Sequence, residues 1–195
     1  MGMLAESIPA GAVLVRVHHH THSPLWFGPR PGALPQHRFD APAGEYRTLY
    51  CAARLAGAFV ESMLRRPAGR VVARTYVEER VWTELRVRRV LRVAKLRDEG
   101  LHWHGTDAAV SAVDDYSGPR RLALALYKSF IEADGITYRA RHNNGEICYA
   151  LFDRIAAADL VPGEPQPFAE HPALVDRLMA LHGALFDTDP RVPPP

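Results

Sequence analysis

The sequence contains no apolar run near the roughly 18 to 20 residues that span a bilayer, so no transmembrane helix is expected. Met1 to Gly11 lacks a basic stretch and has only a short apolar one, which argues against a signal peptide. Cysteine is scarce. Cys51 and Cys148 stand far apart, in no C-x-x-C and no zinc-ligand spacing. They fit two reduced, buried thiols in a cytoplasmic protein. The P-loop, the dinucleotide fingerprint G-x-G-x-x-G and the nucleophile elbow G-x-S-x-G are all missing. Ser23 and Ser129 have no triad context. No second carboxylate lies at helical spacing from Glu61, so a paired-carboxylate site is not indicated there. Internal repeats are absent as well.

What is present is average in bulk and uneven in detail. With 195 residues, 47% apolar and 24% charged, the chain suits one globular domain over residues 1–195. Its formal net charge is +2, yet residues 65–97 carry eleven Arg or Lys against three Glu. That segment is locally +8, and the remainder is −6. Such a segment suits nucleic acid or an acidic partner. Solvated strands with outward arginines explain it equally well, because Val71, Val72, Val81, Trp82, Leu85, Val87 and Leu91 are interleaved there. No aromatic interleaving supports single-strand stacking.

In chain order, Ala12–Val17 reads as a short buried strand interrupted by Arg16. A buried charge is expensive unless paired or turned to a polar cleft. His18, His19, His20 and His22 follow. In an extended chain, His18, His20 and His22 share a face and invite a metal. No carboxylate or cysteine lies at short spacing, and lining of a polar loop is the preferred reading. Pro24 to Pro35 is irregular loop, with Trp26 and Phe27 expected to pin it to the core. Residues 37–65 form the centrepiece: a loop with Pro42 and Gly44, a strand at Thr48–Cys51, and a helix over Ala52–Leu64 ended by Pro67–Gly69.

Beyond it, Arg70–Val77 and Val81–Leu96 read as strands, and Gly100 as a turn. Thr106 or Asp107 caps a short helix, Ala108–Val113. Ser117 caps a helix over Arg120–Ala133, and Gly135 stops it. Ile136–Arg139 and Ile147–Phe152 form strands joined by a turn at Asn143-Asn144-Gly145. Residues 155–167 read as loop. Pro172–Phe186 reads as an amphipathic helix, for packing or self-association, before a frayed tail, 187–195. The fold class is α+β.

The chemistry-bearing set is arginine, tyrosine and one glutamate. Arg16 and Arg38 can hold a diphosphate through bidentate contacts. Tyr50 can stack on a ring and offer its hydroxyl. Glu61 can stabilise a positively charged, sugar-like transition state. Together they suit cleavage of a nucleotide–sugar bond, while a solvated glutamate on a helix surface remains the bland alternative.

The succession R-V-H, H-R-F-D, L-Y-C-A, A-F-V-E, then D-G-I-T-Y-R-A-R-H and C-Y-A-L-F-D resembles the RES domain family over about Val13 to Asp153. The resemblance implies an ADP-ribosyltransferase-like core of short strands in two small sheets with flanking helices. Members are bacterial, and many are toxins of type II toxin–antitoxin pairs whose antitoxin is an Xre-like helix-turn-helix protein. They destroy NAD+ by hydrolysis or phosphorolysis, or transfer ADP-ribose to a protein. For this chain the resemblance implies NAD+ as substrate, no bound cofactor or metal, and a cytoplasmic location. It implies an antitoxin partner, assembly as a homo-oligomer or toxin–antitoxin hetero-oligomer, and nucleic acid met only through the antitoxin. Arg16 and Arg38 match the family's two arginines, Tyr50 its strand tyrosine and Glu61 its acid. Glu61 and Arg38 would be catalytic. Arg16, Arg38, Tyr50, Tyr138 and position 140 would bind NAD+. The family usually has a serine where this chain has Ala140, so a weakened module that binds nucleotide or antitoxin without turnover is the alternative.

Overall fold

The structure, a computed structural model, describes residues 2–65 and 70–189. The proposed helix stop at Pro67–Gly69 and the tail beyond Asp189 lie outside the described residues. Two strands come first, β1 (Ala5–Ile8) and β2 (Val13–His19). A long loop leads to β3 (Thr48–Ala52) and helix α1 (Leu55–Met63). Then come β4 (Val71–Val72), α2 (Arg74–Glu78), β5 (Arg80–Val87), β6 (Leu91–Leu96) and α3 (Glu99–Trp103). A 3-10 turn at Ala108–Ser111 precedes α4 (Ser117–Ser129), β7 (Gly135–Ala140) and β8 (Asn143–Phe152). The chain finishes with β9 (Leu160–Pro162), β10 (Gln166–Pro167), α5 (Pro172–Leu181) and β11 (Leu185–Phe186).

Nine strands form one sheet in the order β1-β6-β7-β8-β3-β2-β5-β10, with β9 also on β5. All neighbours are antiparallel except β6 and β7. A second sheet is the parallel pair β4 and β11. The mixed α+β reading therefore holds, with two sheets of very unequal size. In β5, Val81, Thr83, Leu85 and Val87 alternate inward, the period-2 pattern of a strand with one buried face. One apolar cluster gathers Leu14, Leu49, Leu85, Leu91, Val93 and Leu151. A larger one gathers Phe39, Phe59, Ile136, Phe152, Val175 and Met179 under the helices.

Helix α1 starts at Leu55 rather than Ala52. Pairing of Ala52 with Cys148, and the Ala53 N–H bond to the Ile147 carbonyl, keep those residues extended. Phe59, Val60 and Met63 point into the core. Ala58, Glu61, Ser62 and then Arg65 recur at three- and four-residue spacing and line a cleft.

Several expectations are corrected. Arg70–Val77 is not one strand. Val71–Val72 pairs with Leu185–Phe186, and Arg74–Glu78 is helical because Asp187 Oδ1 accepts the Arg74 N–H at 3.0 Å. Gly100 lies inside α3, where a Cβ would sit 1.9 Å from the Lys95 carbonyl oxygen. Asp107 does cap its turn, accepting from the Ala109 N–H at 2.7 Å. Helix α4 begins at Ser117, with Asp115 accepting the Ser117 N–H at 2.8 Å. It ends at Ser129, not at Gly135: the Arg154 guanidinium takes the carbonyls of Tyr127, Phe130 and Ile131. Gly135 instead opens β7, where a Cβ would be 2.5 Å from the Ala150 carbonyl oxygen. The β7–β8 turn is Arg141–His142, and Asn143 already pairs with Ala140. Residues 155–167 contribute β9 and β10 to the outer edge of β5. The last helix stops at Leu181, Gly183 takes φ +61°, and Leu185–Phe186 turns into a strand.

The tight seat of α3 on β6 gives a direct test. Gly100→Ala is expected to lower stability by about 1–3 kcal/mol through overpacking. Urea unfolding should show a lower midpoint at unchanged slope, and an unchanged midpoint would contradict the close approach.

Candidate active site

A cleft of about 350 Å³ opens between α1, the ends of β2 and β3, and the β7–β8 turn. Arg16, Arg38, Tyr50, Glu61 and Tyr138 all line it, although up to 122 residues separate Arg16 from Tyr138 in the chain. Ala140 does not. It is fully buried at the end of β7, and its neighbour Arg141 reaches the cleft instead.

Glu61 is held from the opposite wall. The Arg141 N–H donates to Glu61 Oε1 at 2.9 Å. The Tyr138 hydroxyl points to Oε2 at 3.5 Å, the outer limit of a hydrogen bond. Tyr138 itself is wedged edge-on against Phe39, and burial pushes its hydroxyl pKa well up. It stays a neutral donor beside the carboxylate.

The two predicted arginines are unusual. Each is only 8% exposed, and among the described residues neither has a carboxylate within ion-pair distance. Arg16 Nη1 donates to the Trp26 carbonyl at 2.8 Å, and Arg38 Nη1 to the Val113 carbonyl at 2.8 Å. The Arg38 guanidinium also lies over the Tyr116 ring, 4.7 Å from its centre. Desolvation lowers the Arg16 pKa to about 10 and lowers that of Arg38 as well. Both stay cationic at neutral pH. Arg65 adds to them, as do Arg80 and Arg141, which pair with Glu79 and Asp114 outside the lining, whereas among the described residues Glu61 is the one carboxylate on it. A low-dielectric cleft with this excess of cations favours an anionic ligand.

Tyr50 differs from expectation in one respect. Its hydroxyl accepts from the Phe39 N–H at 2.9 Å and donates to Asp40 Oδ1 at 3.0 Å. The hydroxyl is thus committed to the protein, and only the ring faces the cleft, with the His37 ring edge-on at 5.2 Å. Asp40, overlooked in the sequence, is the hub. Fully buried, it also accepts from the N–H groups of Gln36 and His37 at 2.8 and 2.7 Å. This fastens the loop that carries Arg38. A lone acid between Phe39 and Ala41 was the available signal, since a buried carboxylate must find donors.

The histidine tract divides. His18 is buried against Thr83, with Nε2 to Oγ1 at 2.9 Å. His19 and His22 line the cleft. Among the described residues, no group of three His, Cys, Asp or Glu could hold a metal ion. Cys51 and Cys148 are free and buried, with thiol pKa values pushed up by desolvation, so neither is a nucleophile at neutral pH. His37, also overlooked, accepts from Arg65 Nη2 at its Nδ1 at 2.8 Å. Burial first, and Arg65 second, lower its pKa to about 4.

Comparison with known proteins adds three findings. The RES domain family model matches residues 13–171. A chain of the M. tuberculosis MbcT–MbcA toxin–antitoxin complex superposes with a TM-score of 0.70 at 19% identity. The match covers 89% of this chain and 92% of that one, and at this identity it speaks for the fold. No curated protein sequence matches.

Two stability tests follow from the site. Asp40→Ala strands three donors, and a loss of at least about 2 kcal/mol is expected in urea unfolding. His37 has a folded pKa of about 4 against 6.5 in the unfolded chain. Between those values the unfolded state binds more protons, so this contribution to stability is lost as pH falls from 6.5 to about 4. The stability difference between the wild type and His37→Gln should therefore shrink across that window, and a pH-independent difference would count against the neutral imidazole.

Proposed function

Because the chain belongs to the RES domain family, we propose that it is the toxin of a toxin–antitoxin pair and breaks the nicotinamide–ribose bond of NAD+. The observation carrying this reading is one carboxylate, Glu61, anchored by the Arg141 N–H, in a cleft whose buried Arg16 and Arg38 lack carboxylate partners. Buried guanidiniums bonded to single carbonyls retain N–H groups for a diphosphate. Arg38, on whose charge the Glu61 carboxylate acts, would hold the phosphate nearer the reacting ribose.

In the reaction, the C1′–N bond breaks and its electron pair moves onto the nicotinamide ring, which leaves neutral. The ribose C1′ becomes oxocarbenium-like, and the Glu61 carboxylate stabilises that charge. An acceptor oxygen then attacks C1′, and its proton passes to Glu61 or solvent. Water, phosphate or a protein side chain would serve as that acceptor. NAD+ is consumed as substrate, so no resident cofactor enters the scheme. A protein antitoxin, an Xre-like helix-turn-helix partner, would silence the toxin in the cytoplasm by covering the cleft. Nucleic acid would be met only through that partner.

A second reading is a module of the same fold that binds nucleotide or antitoxin without turnover. Ala140 favours it, because no side-chain hydroxyl is present where the family usually carries one. Ala140→Ser should then leave NAD+ loss at background, whereas a gain would favour the enzyme.

The test is incubation of the full chain with NAD+ followed by mass analysis. Free ADP-ribose, ADP-ribose-1-phosphate or a protein heavier by one ADP-ribose identifies the acceptor. Glu61→Gln and Arg38→Ala are each expected to slow NAD+ loss by about 100-fold or more. Undiminished cleavage by Glu61→Gln would remove that residue from the mechanism.

A further inference from the structure

Trp26 was expected to pin its loop to the core. Phe27 does so, packing against the smaller apolar cluster. Trp26 instead lines the cleft and is 37% exposed. A large apolar ring thus stands open on the wall of a cationic cleft.

The ring is firmly placed. Gly28, two residues on, exchanges both backbone bonds with Thr48 of β3, at 3.1 and 2.8 Å. The six-membered ring of the indole rests on Gly28, where a Cβ would meet ring atoms at 3.2 to 3.6 Å. The Trp26 N–H donates to the Ser23 carbonyl, and the Trp26 carbonyl accepts from Arg16. The His22 ring lies 4.9 Å from the indole at a tilt of 41°. This is a braced aromatic shelf, not a loose side chain.

The other cleft aromatics are already engaged, Tyr50 by the His37 ring edge-on and by Asp40 at its hydroxyl. A guanidinium covers Tyr76 and another covers Tyr116, at 4.1 and 4.7 Å from the ring centres. Tyr138 is buried against Phe39. Among the described residues, no cation lies over Trp26. Its place along the cleft also matters. Arg16 is bonded to the Trp26 backbone, while Glu61 is among the charges whose field acts on Arg38. Aromatic shelf, two guanidiniums and carboxylate match the order base, diphosphate and ribose.

We infer that Trp26, flanked by His22, is the stacking platform for the purine base of the nucleotide ligand. This rests on the nucleotide reading above and deepens it by assigning the end of the cleft away from Glu61. Stacking of a base on an aromatic ring is indifferent to the reaction at the other end, so binding tests it without turnover.

The experiment measures Kd of the full chain for AMP and for ribose 5-phosphate, which lacks the base. In Trp26→Ala, AMP binding is expected to weaken about tenfold or more, with ribose 5-phosphate unchanged. Trp26→Phe keeps an aromatic face and should retain most of the AMP affinity. AMP should also quench tryptophan fluorescence in the wild type and not in Trp26→Phe. Equal losses for both ligands in Trp26→Ala, undiminished AMP binding, or no AMP binding by the wild type would each overturn the assignment. AMP stacking without NAD+ cleavage would leave the shelf standing and overturn the enzymatic reading. NAD+ cleavage with an unchanged KM in Trp26→Ala would do the reverse.

Discussion

A fully buried carboxylate, Asp40, organises the cleft. It has to be satisfied where water cannot reach it. Two backbone N–H groups from its own loop and the Tyr50 hydroxyl from β3 do this. Because the same hydroxyl accepts the Phe39 N–H, the loop is sewn to the sheet on both sides of Arg38. Arg38 can then remain buried with a single carbonyl partner from Val113. His37 is held neutral beside it, and Arg120 fastens the loop from α4 through the carbonyls of His37 and Pro35. A flexible loop would lose this arrangement to solvent.

The opposite wall follows a related rule. Glu61 sits on a helix one of whose faces is core, so its carboxylate emerges at the cleft floor. The tight β7–β8 turn brings the Arg141 N–H to it. The Arg141 guanidinium is drawn outward to Asp114 at 2.7 Å. A backbone donor orients the glutamate without neutralising it, whereas a guanidinium in its place would cancel the charge. Arg16 and Arg38 likewise bond to carbonyls rather than carboxylates. Cations and anion are therefore kept apart across the cleft, each under-compensated, and free energy remains available for a ligand that bridges them.

Local signals read well where one physical cause acts alone. The buried run around Arg16, the helix after Tyr50 and the cap at Asp107 were all legible, because periodicity and side-chain capping are properties of a few neighbouring residues. Glycine and asparagine misled where two causes compete. Gly100 and Gly135 read as conformational punctuation, yet both exist to admit a neighbouring carbonyl. Asn143-Asn144-Gly145 read as the hairpin turn, yet pairing of Ala140 with Asn143 moved the turn two residues earlier. Residues 70–77 read as a strand by composition, and Asp187 made part of them a helix from far down the chain.

The sequence by itself determined the α+β class, the family and the residue types of the cleft: Arg16, Arg38, Tyr50, Glu61 and Tyr138. These follow from composition, pattern and the order of short motifs. Only the tertiary structure decided what each residue is free to do. It gave the Tyr50 hydroxyl to Asp40, placed Ala140 out of the cleft and Arg141 at Glu61, and turned Trp26 toward the cleft. The physical reason is that a polar atom's availability depends on which distant donor or acceptor has already claimed it. Such claims are made between residues tens of positions apart, where sequence spacing carries no information.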